Sequence, residues 1–194
     1  MRRTRTENKS KKIVVYFIGL IMVFSAFGVV FFGFGGGVNT FSDRGLKFVD
    51  KGNYLSTKIN GQEGIFNYLP SNVEVISVDD GIINRLRDAI EIDITSDFND
   101  TFAEEIALAQ FQMDLTLNNA GRYIRGGFAS ENPYNYDIIT CGGSSSFVPV
   151  IYFRKANETN VYLEDNCIIA EARINTDILA IKDRLVYGIL GVIE

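Results

Sequence analysis

Residues 13 to 34, IVVYFIGLIMVFSAFGVVFFGF, run for 22 positions without a charge. At 1.5 Å per residue this is about 33 Å of helix, enough to cross a hydrocarbon core of about 30 Å. The flanks set an orientation. MRRTRTENKSKK holds six Lys or Arg against one Glu, whereas only Asp43 and Arg44 follow soon after the run. The positive-inside bias puts the N-terminus in the cytoplasm and the residues beyond Phe34 outside. A cleaved signal peptide competes with this reading. Signal cores run about 7 to 15 residues and end at a small-x-small site, and GFGGGVNT offers no convincing one. A type IV pilin leader carries a glutamate early in its apolar run, and none stands here. The expectation is therefore a basic cytoplasmic tail over 1–12, an uncleaved single-pass anchor over 13–34, a Gly-rich linker over 35–45 and an extracytoplasmic domain over 46–194. Gly19, Ser25, Ala26 and Gly28 on the anchor permit self-association of helices.

Charge divides the same way. Past residue 12 the chain has 13 basic and 23 acidic residues, net −10. An acidic exported domain is a poor partner for nucleic acid, which needs a basic face. The sequence has no histidine, so Ser-His-Asp, Cys-His and histidine-zinc mechanisms are excluded, and two cysteines are too few for a four-thiolate zinc site. No cofactor is called for.

Within 46–194 the patterns predict an α/β domain with a mixed β-sheet, a β-α-β unit and a C-terminal helix, opening with a β-rich portion over 46–78. Asn60-Gly61 marks a hairpin turn, because both residues tolerate positive φ. Pro70 and Ser71 close that hairpin, and VEVISV (73–78) predicts another strand. Asp79 or Asp80 would cap a short helix over GIINRLRDA. IEIDIT (90–95) alternates like a strand. Thr101 and Glu104 fit a capping box opening a helix over about 102–119, with Phe102, Ile106, Ala109, Met113 and Leu117 on one face. RYIRGGF (122–128) completes the β-α-β unit, whose strands should be parallel. YDIIT (136–140), FVPVIYF (147–153), NVYL (160–163) and CIIAEA (167–172) read as strands, with Pro149 placing its strand at an edge or a bulge. A helix over 176–193, capped by Asn175 or Thr176, ends the chain.

The anchor, INGQEGIFNYLPSNVEVI, ITSDFNDTFAEEIALAQFQM and NCIIAEARINTDILAIKDRLVYGILGVI together resemble a group of uncharacterised archaeal single-pass membrane-anchored proteins with an exported α/β domain. The resemblance covers most of the chain. It implies an archaeal surface location and carries no mechanism.

Candidate sites are few. Cys141 and Cys167 both fall in the exported part, where an even count favours a disulfide. Two buried free thiols, or a reactive Cys141 in TCGGSSS, are the alternatives. GGSSS, with Ser144 at its centre, could present backbone N–H groups to an anion, but a strand follows it and no Lys is present. Asp93, Asp97, Asn99 and Asp100 precede the central helix, and Asp97, Asp100 and Glu104 form a candidate ligand or divalent-metal group. Asp97 with Glu104 or Glu105 could also serve as an acid–base pair. Asn99-Asp100-Thr101 and Asn157-Glu158-Thr159 are N-glycosylation sequons. The leading functional reading is a membrane-anchored cell-surface protein whose acidic domain binds a protein partner or an envelope component without catalysis, with Tyr134 and Tyr136 as patch candidates. The alternative is an anchored extracytoplasmic hydrolase using carboxylates or a divalent metal. A pocket gathering Asp97, Asp100 and Glu104 would favour the enzyme, and an exposed aromatic patch the binder.

Overall fold

The computed structural model describes residues 16–18, 20–22 and 39–194; the first two short stretches are helical. The tail at 1–12 and most of the span at 13–34 lie outside the described residues. Among the described residues no helix is long and apolar enough to cross a membrane.

Residues 39–194 make two sheets. The first is an antiparallel meander of β1 (Thr40–Asp43), β2 (Leu46–Asp50), β3 (Leu55–Ile59) and β4 (Gln62–Phe66), in that order. Two-residue turns drive it: Arg44-Gly45 and Asn60-Gly61 all have positive φ, the backbone whose twist matches a hairpin. β1 therefore occupies part of the stretch read as a linker. Where VEVISV was expected to be one strand, Pro70 starts a single helical turn, α1 (Pro70–Val73), and only β5 (Ser77–Val78) is extended. Proline suits a first helical position because its missing N–H is not needed there. Next comes α2 (Ile82–Asp88), preceded at its cap by Gly81 at φ +87°, not by Asp79 or Asp80.

The second sheet contains β6 (Glu91–Ser96), β7 (Tyr123–Phe128), β8 (Val150–Lys155), β9 (Asn160–Glu164) and β10 (Cys167–Ala172), in the order β5-β9-β10-β8-β6-β7. β6, β7, β8 and β10 run parallel, and β9 opposes β10. The β-α-β unit forms as read, with α3 (Ala103–Asn119) between β6 and β7. No Thr101–Glu104 capping box forms; instead Asp100 Oδ1 accepts the Phe102 N–H at 2.7 Å. β8 lies inside the sheet, contrary to the edge expected from Pro149. The proline ends just before the ladder and its carbonyl accepts the Asp93 N–H at 3.0 Å, so no ladder donor is lost. YDIIT is not a strand: only a Phe128–Ile138 bridge forms. The last helix, α4 (Asn175–Ile189), is closed by Asp177, whose carboxylate accepts the Ile174 N–H.

One face of the second sheet is apolar. Ile92, Ile94, Ile151, Phe153, Ile168 and Ala170 are fully buried there in one core with α3 and α4. The meander joins this core through Phe66, stacked on Tyr187 of α4 at 4.1 Å, and Phe48, edge-on to both rings at 6.4 Å. A buried ion pair, Lys182 with Asp183, sits beside them. Asp183 Oδ2 accepts the N–H groups of Asn67 and Tyr68 at 2.7 and 2.8 Å, fixing the end of β4 to α4. Burial pushes the Asp183 carboxyl up and the Lys182 ammonium down, and their mutual attraction opposes both.

Candidate functional site

Strand direction decides where a site can form. In open α/β sheets ligands collect outside the carboxyl ends of the parallel strands. Here those ends are Ser96, Phe128, Lys155 and Ala172. Asp97, Asn99 and Asp100 follow β6 directly, so they stand at that end. Asp100 is occupied by backbone: one oxygen takes the Phe102 N–H and the other the Lys155 N–H at 3.2 Å, latching the loop to the end of β8. Glu104 is exposed on the first turn of α3, and Glu105 accepts from the Asn175 amide at 2.7 Å. Among the described residues no three acidic or thiol side chains gather as a metal site.

Ser144 is at the other end of the sheet, near the starts of β8 and β10. Its hydroxyl accepts the Val150 N–H at 3.0 Å and donates to the Asn166 carbonyl. The structure therefore does not bring it to Asp97, Asp100 and Glu104. Cys141 and Cys167 form a disulfide with Cα atoms 5.1 Å apart. Cys141 opens a short 3-10 turn, Cys141–Gly143, while Cys167 begins β10. Arg85 donates to the Ser145 carbonyl at 2.7 Å and completes the anchoring of TCGGSSS. Asn99 and Asn157 are both exposed.

The second face of the large sheet carries the polar chemistry. Register places Arg154 beside Glu171. The guanidinium donates to Glu171 Oε1 at 2.8 and 3.0 Å and to the Tyr162 hydroxyl at 2.7 Å, and that hydroxyl donates to the same oxygen at 3.2 Å. The Tyr152 ring lies 5.9 Å from the Arg154 guanidinium carbon. Its hydroxyl is pushed up to about 12, first by burial and then by the Asp97 carboxylate, which holds the proton on. Farther along, Arg125 grips Asp93 with two bonds of 2.6 and 2.8 Å. Sequence reasoning passed over the Arg154–Glu171–Tyr162 group. The signal was the alternation in VIYFRK, which sends Tyr152 and Arg154 to one face and Ile151 and Phe153 to the other.

At the carboxyl end of the sheet, Phe128, the last residue of β7, gathers a ring cluster. Phe98 stands 6.5 Å away, Tyr134 6.2 Å and Tyr136 6.0 Å. Tyr134 and Tyr136 are 64% and 65% exposed. Their loop is built, not slack: Asn132 Oδ1 accepts the N–H groups of Tyr134 and Tyr136 at 3.2 and 3.1 Å. Phe128 and Ile139 exchange backbone bonds with this segment, the Phe128 N–H donating to Asp137 and the Ile139 N–H to Phe128. Gly127 makes the approach possible, since a Cβ there would lie 2.6 Å from the Asp137 carbonyl.

No protein-family model, curated protein or solved structure matches the chain.

Proposed function

We propose that the chain is a membrane-anchored cell-surface protein, N-terminus in the cytoplasm and C-terminal domain outside, that binds a protein partner or envelope component through the Phe98–Phe128–Tyr134–Tyr136 surface. The carrying observation is that cluster: two half-buried rings supporting two tyrosines exposed by about two thirds, on a loop whose backbone is tied in place. Rigid, amphipathic rings of this kind supply contact area at low entropic cost and are typical anchors of interfaces. The apolar run at 13–34 and the basic tail support the anchoring, with the bilayer as its second partner. Exposure of Asn157 and Asn99 supports glycan attachment at either sequon. Asp97 beside Tyr152, at the carboxyl ends of the strands, is what favours the second reading, an anchored hydrolase working through carboxylates or a divalent metal.

A pull-down of the full chain extracted from membranes tests the proposal. A companion that is retained by the wild type and lost from the Tyr134→Ala/Tyr136→Ala variant, with unchanged thermal stability, is expected. A chain that comes down alone and cleaves an envelope substrate overturns it.

A further inference from the structure

The meander holds a cleft distant in sequence from the aromatic cluster. It measures about 360 Å³ and is lined by Phe41, Asp50, Asn53, Tyr54, Asn67 and Asn72, among others. That volume is within the range of small-molecule sites, about 300–1,000 Å³. The floor is fixed from beneath. Asn67 and Tyr68 hang by their N–H groups from the buried Asp183 carboxylate, and the Tyr187 hydroxyl donates to the Tyr68 carbonyl at 2.8 Å. The rim is equally shaped: Gly52 turns the β2–β3 loop at φ +89°, its N–H donates to Asp50 Oδ1 at 2.7 Å, and the Lys51 N–H donates to the Tyr54 carbonyl at 2.9 Å.

This arrangement leaves polar capacity over. Asp50 keeps a second carboxylate oxygen. Asn72 Oδ1 takes the Leu69 N–H at 3.3 Å, leaving its NH₂ group for another partner. The side-chain oxygen of Asn67 is buried with no hydrogen-bond partner among the described residues. Phe41 and Tyr54, 44% and 36% exposed, add flat apolar surface.

We infer that this cleft binds one ring of a neutral carbohydrate. A sugar ring has an apolar C–H face and a rim of hydroxyls that each donate and accept. Aromatic rings match the face, and amides, each carrying donors and an acceptor, match the rim. Other classes fit less well. The residues lining the cleft include Asp50 and no lysine or arginine, which disfavours a phosphate or sulfate. A single carboxylate is a poor cage for calcium, which takes 6 to 8 oxygens. A quaternary ammonium would use the rings and Asp50 but would leave the buried Asn67 oxygen without a partner, which is costly.

The test titrates the full chain with glucose, mannose, galactose and N-acetylglucosamine, with tetramethylammonium and inorganic phosphate as controls, read by saturation-transfer NMR. At least one sugar should bind, and Asn53→Ala and Tyr54→Ala should each weaken it about tenfold, the scale of one lost contact of about 1.4 kcal/mol. Should Tyr54→Ala shift the thermal midpoint, Asn53→Ala decides, because Asn53 is exposed on the loop. The Tyr134→Ala/Tyr136→Ala variant should bind the sugar normally, so this inference and the partner proposal fail separately. No sugar binding, binding unchanged in Asn53→Ala, or tetramethylammonium binding in place of sugar overturns the inference.

Discussion

On one face of the six-stranded sheet, α3 and α4 cover a continuous apolar layer from Ile92 to Ala170. On the other, a smaller cluster of Ile139, Val150, Cys167 and Ile169 lies with Tyr152 and Tyr162, and the segment near Ile139 and Cys141 closes over it. The first face is closed by area, the second by discrete ties: the disulfide, the Thr95 hydroxyl donating to the Ile139 carbonyl at 2.7 Å, and the Ser144 bonds. Burial spread over many side chains tolerates little change at any of them. A face closed by a few ties leaves its remaining positions free for charged and aromatic groups, and Arg125, Arg154, Glu171 and Tyr162 all belong to that side.

Three measurements bear on this contrast. The largest effect is expected on the apolar face: Phe153→Ala should cost about 3–5 kcal/mol in chemical denaturation, since Phe153 is wholly buried. A loss below about 1 kcal/mol would show that the helices do not close this face as described. Removing the tie comes next. Cys141→Ser/Cys167→Ser opens a loop spanning 26 residues and should cost about 3 kcal/mol in the chain-entropy model. Hydrogen exchange should then rise in residues 137–149 while α4 stays protected. Equal deprotection of α4 would break the distinction between the faces. The smallest effect concerns ionisation. Tyr152 should titrate at about 12 by ultraviolet absorbance. A tyrosine whose folded pKa is raised contributes stability that is complete below its unfolded value, about 10, and is lost as pH rises toward about 12. Asp97→Asn should bring that titration partly back toward its ordinary value, burial supplying the rest. No movement would mean that Asp97 does not face the phenol.

Much of the apolar face was legible because its signals are local. The β6–α3–β7 unit follows from IEIDIT and from the spacing of Ile106, Ala109, Met113 and Leu117, all buried. The polar face was harder to read. YDIIT has strand composition, yet its chain is drawn onto Phe128 at a single bridge and onto Thr95 by a side chain; neither partner is visible from that stretch. Pro149 misled because its strand begins one residue later. The loop TCGGSSS and the acidic stretch TSDFND both lie at strand ends, but whether they share an end depends on strand direction, which sequence periodicity does not encode. Arg44-Gly45 carried a turn signal inside a Gly-rich stretch that read as tether.

The clamp at Asp183 has a consequence for the order of assembly. Its carboxylate holds Asn67 and Tyr68 across 116 and 115 residues, and Tyr187, which stacks on Phe66, is the last aromatic ring of this sequence as well as a neighbour of Phe48. Chains emerge N-terminus first, so the meander can form its hairpins early and meet α3 through the Ile65 N–H bond to Thr116, but Phe48 and Phe66 lack their Tyr187 partner until α4 arrives. Such distant pairings are slow to close. A chain stopped before residue 175 would carry a finished hairpin ladder whose Phe48 and Phe66 rings lack the Tyr187 ring that packs on them. The strands at the beginning of the domain thus wait on the helix at its end for the last of their cover.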